Sequence, residues 1–170
     1  MNDTDRQHLI RAVDLAEIGM ADGNDPFGSV LVSGEGKVLF EDHNHTSGGD
    51  HTRHPEFEIA RWAATHMAPA ERARAVVYTS GEHCPMCAAA HGWVGLGRIV
   101  YAASSAQFAQ WVGEFGGGTG PVKTLPIEAI LVSPEVEGPE PTLTERLRSL
   151  HQRRFEAGGD RNLAPTLAVD

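Results

Sequence analysis

The chain has 170 residues, of which 41% are hydrophobic, and this length and composition predict one globular domain rather than a disordered chain. Its formal net charge is −9, with only two lysines, so no basic stripe is available to bind a phosphate backbone. We therefore expect a small neutral substrate and no nucleic-acid partner.

Targeting signals and cysteine usage bear on where in the cell the protein is expected. The chain starts without a basic segment followed by an apolar run, and no apolar stretch approaches about 18 residues, so we expect no signal peptide and no membrane partner. Both cysteines lie in one Cys-x-x-Cys motif, at Cys84 and Cys87. With no disulfide framework to form, a cytoplasmic location is expected.

The first third of the sequence predicts a helix followed by a β-hairpin. Apolar residues recur at helical spacing after an N-cap candidate, Thr4, and a Gly-Asn pair then ends the helix. Two short apolar runs around Gly-Glu-Gly predict antiparallel strands. In chain order, the predicted elements are a helix over 4–22, a strand over 28–33, a turn over 34–36, a strand over 38–41 and a polar loop over 42–53.

The remainder of the chain predicts strands that alternate with helices. After a helix over 54–67, the predicted elements are a strand over 75–79, a helix over 85–96, a strand over 98–102, a helix over 105–113, a Gly/Pro loop over 116–126, a strand over 127–132 and a charged helix over 142–156. This order predicts an α/β fold with a mixed five-stranded sheet covered by helices on both faces. We predict one domain over 1–157 and a flexible tail over 158–170.

Two short motifs each lie where a predicted helix begins. His-Pro-Glu occupies 54–56 and Cys-Pro-Met-Cys occupies 84–87. Proline is favoured at the first helical position, so His54 and Cys84 are predicted N-caps, and Cys87 lies one turn after Cys84 on the same face. A helix N-terminus stabilises thiolates, and the two helix starts could therefore meet at one metal ion.

The number of ligands favours a catalytic zinc over a structural one. Structural zinc usually takes four protein ligands, whereas catalytic zinc keeps one position for water. His54, Cys84 and Cys87 would supply three ligands and neutralise Zn²⁺. Glu56, two residues from His54, could then move protons as a general acid–base without being a ligand.

Other interpretations of the same residues remain open. A Cys-x-x-Cys after a strand and before a helix is also typical of a thioredoxin-like redox pair, although His-Pro-Glu has no use there. A purely structural metal site is a further alternative. The histidines His43, His45 and His51 could extend a metal site or be ordinary residues of a polar loop.

Together these residues resemble the cytidine deaminase superfamily, whose pattern is His-x-Glu followed by Pro-Cys-x-x-Cys. The resemblance covers roughly 5–135 and includes Pro-Phe-Gly before the first strand. The Cys-Pro-Met-Cys motif and Trp93 after it are most similar to bacterial guanine deaminases and tRNA adenosine deaminases. Pro55 stands where relatives have a small residue, and His83 where they have proline, so the departures border the site and leave the ligands intact.

The resemblance implies further site residues. Phe27 and Asn44 are similar to the family's substrate-binding aromatic and asparagine, and Trp93 would line the same pocket. Glu114 is similar to a second, proton-shuttling carboxylate of guanine deaminases. The alternatives are core packing for Phe27 and Trp93, a local turn for Asn44 and a solvated loop charge for Glu114.

The resemblance also implies a fold, a function and an assembly. The fold would be a three-layer α/β/α sandwich, and the function zinc-dependent hydrolytic deamination of a free, guanine-like nucleobase. Cytosine-like or s-triazine rings are the alternative substrates, and adenosine in tRNA is less favoured because the chain is acidic. The family implies a homodimer, in which the helix over 142–156, through Phe155, could be exchanged between subunits.

Overall fold

The computed structural model describes residues 1–158, and the predicted tail lies outside this part of the chain except for its first residue. The helices are α1 (Asp3–Ala21), α2 (Pro55–His66), α3 (Pro69–Arg72), α4 (Pro85–Val94), α5 (Ser105–Glu114) and α6 (Thr144–Glu156). The strands are β1 (Gly28–Val32), β2 (Val38–His43), β3 (Val76–Gly81), β4 (Arg98–Ala103) and β5 (Val136–Glu137). Short 3-10 helices cover Thr46–Gly48, Ile127–Ala129 and Pro141–Leu143.

The five strands form one mixed sheet in the order β2-β1-β3-β4-β5. Strand β1 pairs antiparallel with both β2 and β3. Strands β3, β4 and β5 are parallel, as expected when helices connect successive strands. The predicted mixed α/β architecture is confirmed.

Side chains alternate between the two faces of the sheet and create two buried layers. On one face Val30, Tyr78 and Val100 pack with apolar residues of α1, α5 and α6. On the other face Leu31 and Val77 pack with apolar residues of α2 and with Leu96. Helices thus cover both faces, which gives the three-layer sandwich.

The start of α1 differs from the prediction. Asn2, not Thr4, is the N-cap, because its side chain accepts a hydrogen bond from the Asp5 backbone N–H and the Asp5 side chain accepts one from the Asn2 N–H. This reciprocal pair is a capping box and satisfies donors at the helix start. Asp5 is thereby turned inward, where it is 2% exposed.

The predicted strand over 127–132 is wrong. Residues Ile127–Ala129 form a 3-10 helix, and the fifth strand is Val136–Glu137, where Val136 pairs with Ile99. The apolar residues Ile127, Ile130 and Leu131 have i, i+3, i+4 spacing and pack beside β4 and α4 through their side chains. A short apolar run does not by itself distinguish a strand from a helical turn, and here the helical spacing decides.

Helix α6 packs against α1 and α5 of its own chain. Phe115 and Phe155 have ring centroids 5.9 Å apart across the α5–α6 contact. Exchange of this helix between subunits stays a prediction. Within residues 1–158, no helix combines the length and apolar character needed to cross a membrane.

Candidate metal and catalytic site

The two predicted helix starts are confirmed and meet in space. His54 is the N-cap of α2 and Cys84 is the N-cap of α4, and each is followed by a proline at the first helical position. Both caps have extended backbone, and neither side chain makes a capping hydrogen bond to its own helix. Cys87, one turn into α4, is fully buried.

The three side chains converge at the spacing that a tetrahedral metal requires. His54 Nδ1 lies 3.6 Å from the Sγ atoms of both Cys84 and Cys87. All three ligand atoms lie within 4.8 Å of one another. Zinc bonds of about 2.0 Å to nitrogen and 2.3 Å to sulfur place N and S ligands about 3.5 Å apart at the tetrahedral angle. The residues therefore fit Zn²⁺ with one position left for water.

Electrostatics favour a thiolate at this cluster. A hydrogen bond with the Cys87 thiol lowers the pKa of the Cys84 thiol to about 4, against the effect of burial, and His54 adds to the lowering. The same hydrogen bond, together with burial, raises the pKa of the Cys87 thiol. The pair thus shares one proton, which a divalent cation would displace.

Glu56 is buried beside the cluster with its two oxygens in different environments. It is 5% exposed. Its Oε1 accepts hydrogen bonds from Ser29 Oγ and Thr79 Oγ1, each at 2.8 Å. Its Oε2 faces Cys87 Sγ at 3.8 Å. One oxygen anchors the carboxylate and the other is directed toward the three candidate ligands, an arrangement that suits proton transfer.

Ser29 and Thr79 were not predicted as site residues. They are direct partners in the β1–β3 register, and both are fully buried. Their hydroxyls lie 3.0 Å apart on the face covered by α2. The available signal was a polar residue within each apolar strand, Gly28–Val32 and Val76–Gly81.

Asn44, the second predicted substrate-binding residue, is buried next to Phe27. It is 2% exposed, and its backbone N–H donates to the Phe27 carbonyl. Its side-chain Oδ1 is buried and has no hydrogen-bond partner among the described residues. A buried acceptor without a donor is costly, so this amide awaits an N–H from a ligand or a water.

Phe27 is half-buried at the start of β1. Its ring lies 5.5 Å from that of Phe108 and 5.0 Å from that of His151, between centroids. A Cβ at Gly81 would come within 3.0 Å of the Phe27 ring, so that glycine leaves room for it. The α5 and α6 helices therefore set the position of this aromatic, and its substrate contact stays a prediction.

Trp93 and Glu114, the remaining predicted site residues, lie at the ends of α4 and α5. Trp93 is 91% exposed near the end of α4, so it does not pack in the core of its own chain. Glu114 ends α5, where it accepts hydrogen bonds from Gln110 Nε2 at 2.8 Å and from Arg148 Nη2 at 3.0 Å. It lines an open groove of about 490 Å³ between α5 and α6, together with Phe155. Their roles with substrate stay predictions.

Arg53 and His83, the residues directly before His54 and Cys84, have separate environments. Arg53 is exposed. His83 is 1% exposed, its Nδ1 has no partner among the described residues, and its ring lies 5.4 Å from that of His91. Burial lowers the pKa of His83, helped by the neighbouring charges of His91 and His54, so this ring is a neutral neighbour of the metal cluster.

Comparison with known proteins gives the family. The model of the cytidine and deoxycytidylate deaminase zinc-binding region matches residues 2–103, which include His54, Glu56, Cys84 and Cys87. Because the match covers more than half of the chain, the protein belongs to this family. The cluster is therefore the family's zinc-binding region, which favours zinc ligands over a redox pair.

Two curated relatives each match about three fifths of the chain. A guanine deaminase from Bacillus subtilis (strain 168) is 36% identical over 104 residues, which are 60% of this chain and 66% of the relative. A probable cytosine deaminase from Schizosaccharomyces pombe (strain 972 / ATCC 24843) is 27% identical over 105 residues, which are 62% of this chain and 64% of the relative. The chain thus spans a little under two thirds of these relatives' length.

Solved structures show the same fold. The X-ray structure of guanine deaminase from Bacillus subtilis has a TM-score of 0.54 at 29% identity and covers 78% of this chain and 88% of that one. A structure from a study of A-to-I editing by tRNA:A34 deaminases has a TM-score of 0.58 at 24% identity and covers 85% and 97%. The predicted cytidine deaminase-like fold is confirmed.

Proposed function

We propose that this protein is a zinc-dependent hydrolytic deaminase that converts an amino-substituted free nucleobase to its oxo form with release of ammonia. The observation that carries the proposal is the buried Glu56 carboxylate, which is anchored at Oε1 by Ser29 and Thr79 and directs Oε2 at Cys87 in the metal-ligand cluster. A structural zinc site has no use for a buried acid with one oxygen directed at the ligands.

The reaction needs water, a base and an acid. Zinc held by His54, Cys84 and Cys87 would supply Lewis-acid activation of the attacking water. Glu56 Oε2 takes a proton from that water and delivers it to the ring nitrogen next to the carbon under attack. A second transfer through Glu56 moves the remaining proton of the added hydroxyl to the amino group, so that the C–N bond breaks, the oxo group forms and ammonia leaves. Ser29 and Thr79 keep the carboxylate in one orientation throughout.

Recognition of a heterocycle falls to Asn44 and Phe27. The Asn44 amide offers an acceptor for a ring N–H and a donor for a ring carbonyl, the pair of groups that a guanine-like base presents. The unpartnered Oδ1 supports this role. Phe27 would present a ring face or edge to the base.

One observation favours a guanine-like purine among the free bases, and a second opposes tRNA as the substrate. The 36% identical relative is a guanine deaminase, and its match covers 60% of this chain. The net charge of −9 opposes tRNA, and the likeness to the tRNA deaminase structure concerns the fold. Cytosine is the second candidate, because the second relative is a probable cytosine deaminase.

A panel of substrates tests this proposal. Purified zinc-loaded protein is incubated with guanine, adenine, cytosine, an amino-substituted s-triazine and an adenosine-containing tRNA anticodon stem, and ammonia release is measured. We expect the highest kcat/KM with guanine. A preference for cytosine or the triazine would change the proposed substrate but not the proposed reaction. If no compound released ammonia, the proposal would be rejected.

Glu114 enters the proposal as a second proton carrier. The two-step proton delivery would be easier with a carboxylate on the far side of the base, and Glu114 precedes the glycines 116–118, which could let the loop close. We expect Glu114→Gln to lower kcat with little change in KM, because glutamine keeps the shape and loses the proton. An unchanged kcat would leave Glu114 as a link between α5 and Arg148.

We further propose that the protein acts in the cytoplasm as a homodimer. Trp93 and Val132 are 91% and 96% exposed, and large apolar side chains so exposed are often covered by a partner. Sedimentation equilibrium of the wild type and of Trp93→Ser tests this, and we expect a dimer that the substitution weakens. A monomeric wild type would reject the dimer.

A further inference from the structure

A second group of metal-ligand side chains lies at the end of β2, separate from the cysteine cluster. Asp42, His43 and His45 each contribute one ligand atom, and these atoms all lie within 4.8 Å of one another. The two imidazole rings have centroids 4.5 Å apart. None of the three side chains takes part in the proposed proton transfers.

His43 has the tautomer that metal binding needs. Its Nδ1 lies 2.8 Å from the Asn44 carbonyl oxygen, so this nitrogen must carry the hydrogen and donate it. The lone pair of Nε2 is then available for a cation. Histidine ligands in proteins almost always hold their second ring nitrogen in this way, often with a backbone carbonyl.

A carboxylate lies close to the Nε2 atom of each of the two imidazoles. His43 Nε2 faces Asp22 Oδ2 at 3.6 Å, and His45 Nε2 lies 2.7 Å from Asp42 Oδ1. A cation between His45 and Asp42 would replace the hydrogen bond that now joins their side chains. Two imidazoles with carboxylates suit zinc, cobalt or nickel rather than magnesium or calcium.

The surroundings favour positive charge at this position. Asp22 is the C-cap of α1, and the last turn of α1 contains no basic residue. A carboxylate at a helix C-terminus is repelled by the helix dipole, and a bound cation would relieve this repulsion. Gly19 on α1 lets the His43 ring approach, because a Cβ there would lie 3.1 Å from His43 Nδ1.

From these contacts we propose that Asp42, His43 and His45 form a second divalent-metal site, with Asp22 as a fourth donor beside His43. The side chains of the three are between 14% and 33% exposed, so an ion can reach them. The site flanks Asn44 on both sides in the sequence, and His43 holds the Asn44 carbonyl. Metal bound there fixes the backbone of Asn44.

Cobalt titration of the full chain tests the site without an activity assay. The protein is stripped of metal under reducing conditions and titrated with Co²⁺, with bound metal counted by equilibrium dialysis and elemental analysis. Cobalt at the cysteine cluster gives a thiolate-to-cobalt charge-transfer band, whereas cobalt on nitrogen and oxygen donors does not. We expect two equivalents per chain, only one of which adds to this band.

The double variant His43→Asn/His45→Asn should keep the charge-transfer band and lose the second equivalent, with its dissociation constant raised at least about 100-fold. The matched control is His51→Asn/His66→Asn, because both of these histidines are exposed and outside the two groups. The control should bind two equivalents.

Uptake of a single equivalent by the wild type would overturn the proposal, and so would a second equivalent that persists in the double variant. If the double variant lacks the charge-transfer band and is misfolded, Asp42→Asn replaces it, since asparagine keeps the shape of the side chain. The same loss of the second equivalent is expected there, and its retention would count against the site.

Discussion

Two buried carboxylates, Asp5 and Glu56, lie on opposite sides of the sheet and differ in what their oxygens contact. Asp5 and Glu56 are 2% and 5% exposed. Asp5 lies on the face covered by α1, where both of its oxygens are occupied: Oδ1 accepts from Tyr78 and Arg98, and Oδ2 from Arg98 and the Asn2 N–H. Glu56, on the α2 face, has one oxygen anchored and one directed at the metal ligands.

The hydrogen bonding of a buried polar group indicates whether it contributes to stability or to function. A buried acid whose hydrogen bonds are complete is held in one protonation state and adds to the free energy of unfolding. In the proposed function, a buried acid that is anchored through one oxygen and faces the metal ligands with the other can exchange protons with a bound water. The same contrast separates Asn44, whose Oδ1 has no described partner, from Asn24, whose Oδ1 accepts from Ser47.

The largest expected effect comes from the metal ligands. Cys87→Ser should remove zinc binding at the cluster and bring ammonia release below detection, because a hydroxyl does not replace a thiolate ligand. Elemental analysis and the substrate assay measure both. Ser80→Ala, which is buried on β3 on the opposite face of the sheet, serves as a control for a small change at a buried polar residue. A Cys87→Ser protein with zinc and full activity would contradict the site.

These ligands were predictable because they depend on local signals. A proline after His54 and after Cys84 marks two helix starts, and the motif spacing then places all the metal ligands. The alternation of strands with helices along the chain was predictable for the same reason. By contrast, the hydrogen bonds from Ser29 and Thr79 to Glu56 depend on the β1–β3 register, which no local pattern specifies.

Long-range contacts also explain what sequence analysis missed on the other face. Asp5 and Arg98 are 93 residues apart in the chain, and Asp5 resembles an ordinary first-turn acid until the fold brings Arg98 to it. The error at 127–132 has a similar cause. The Ile127 N–H donates to the Glu82 side chain, 45 residues away, and this contact accompanies a helical turn rather than a strand.

A tenfold to hundredfold effect is expected from Asn44→Ala. Removal of the amide should lower kcat/KM by about 10–10², the value of one or two hydrogen bonds to a ligand, while the backbone bond to Phe27 remains. Steady-state kinetics with the preferred base measure it. Asn24→Ala should instead lower thermal stability and leave kcat/KM near the wild-type value, and the opposite outcome for the two variants would break the comparison.

The smallest expected effect on activity, and a clear effect on stability, comes from Asp5→Asn. Burial works to raise the pKa of Asp5, but hydrogen bonds from Arg98, Asn2 and Tyr78 outweigh it and lower the pKa from 3.8 to about 2. Above pH 4 this shift corresponds to about 2 kcal/mol of stability. Asparagine should lose that amount at pH 7 in urea unfolding, with kcat unchanged.

The pH dependence has a definite sign. Because the pKa of Asp5 is lower in the folded protein, its contribution is complete above the unfolded pKa and is lost as the pH falls from 4 toward 2. The difference in unfolding free energy between wild type and Asp5→Asn should therefore shrink over that range. A difference that is constant with pH would show that the Asp5 charge is not its source.

The most direct test of the central claim is Glu56→Gln, measured for zinc content and ammonia release in the same preparation. Glutamine can still accept hydrogen bonds from Ser29 and Thr79, but it cannot carry a proton. We predict one zinc retained at the cysteine cluster and turnover lowered by at least about 10²–10⁴, while Glu58→Gln on the same helix keeps both. Near-normal turnover by zinc-loaded Glu56→Gln would contradict the account.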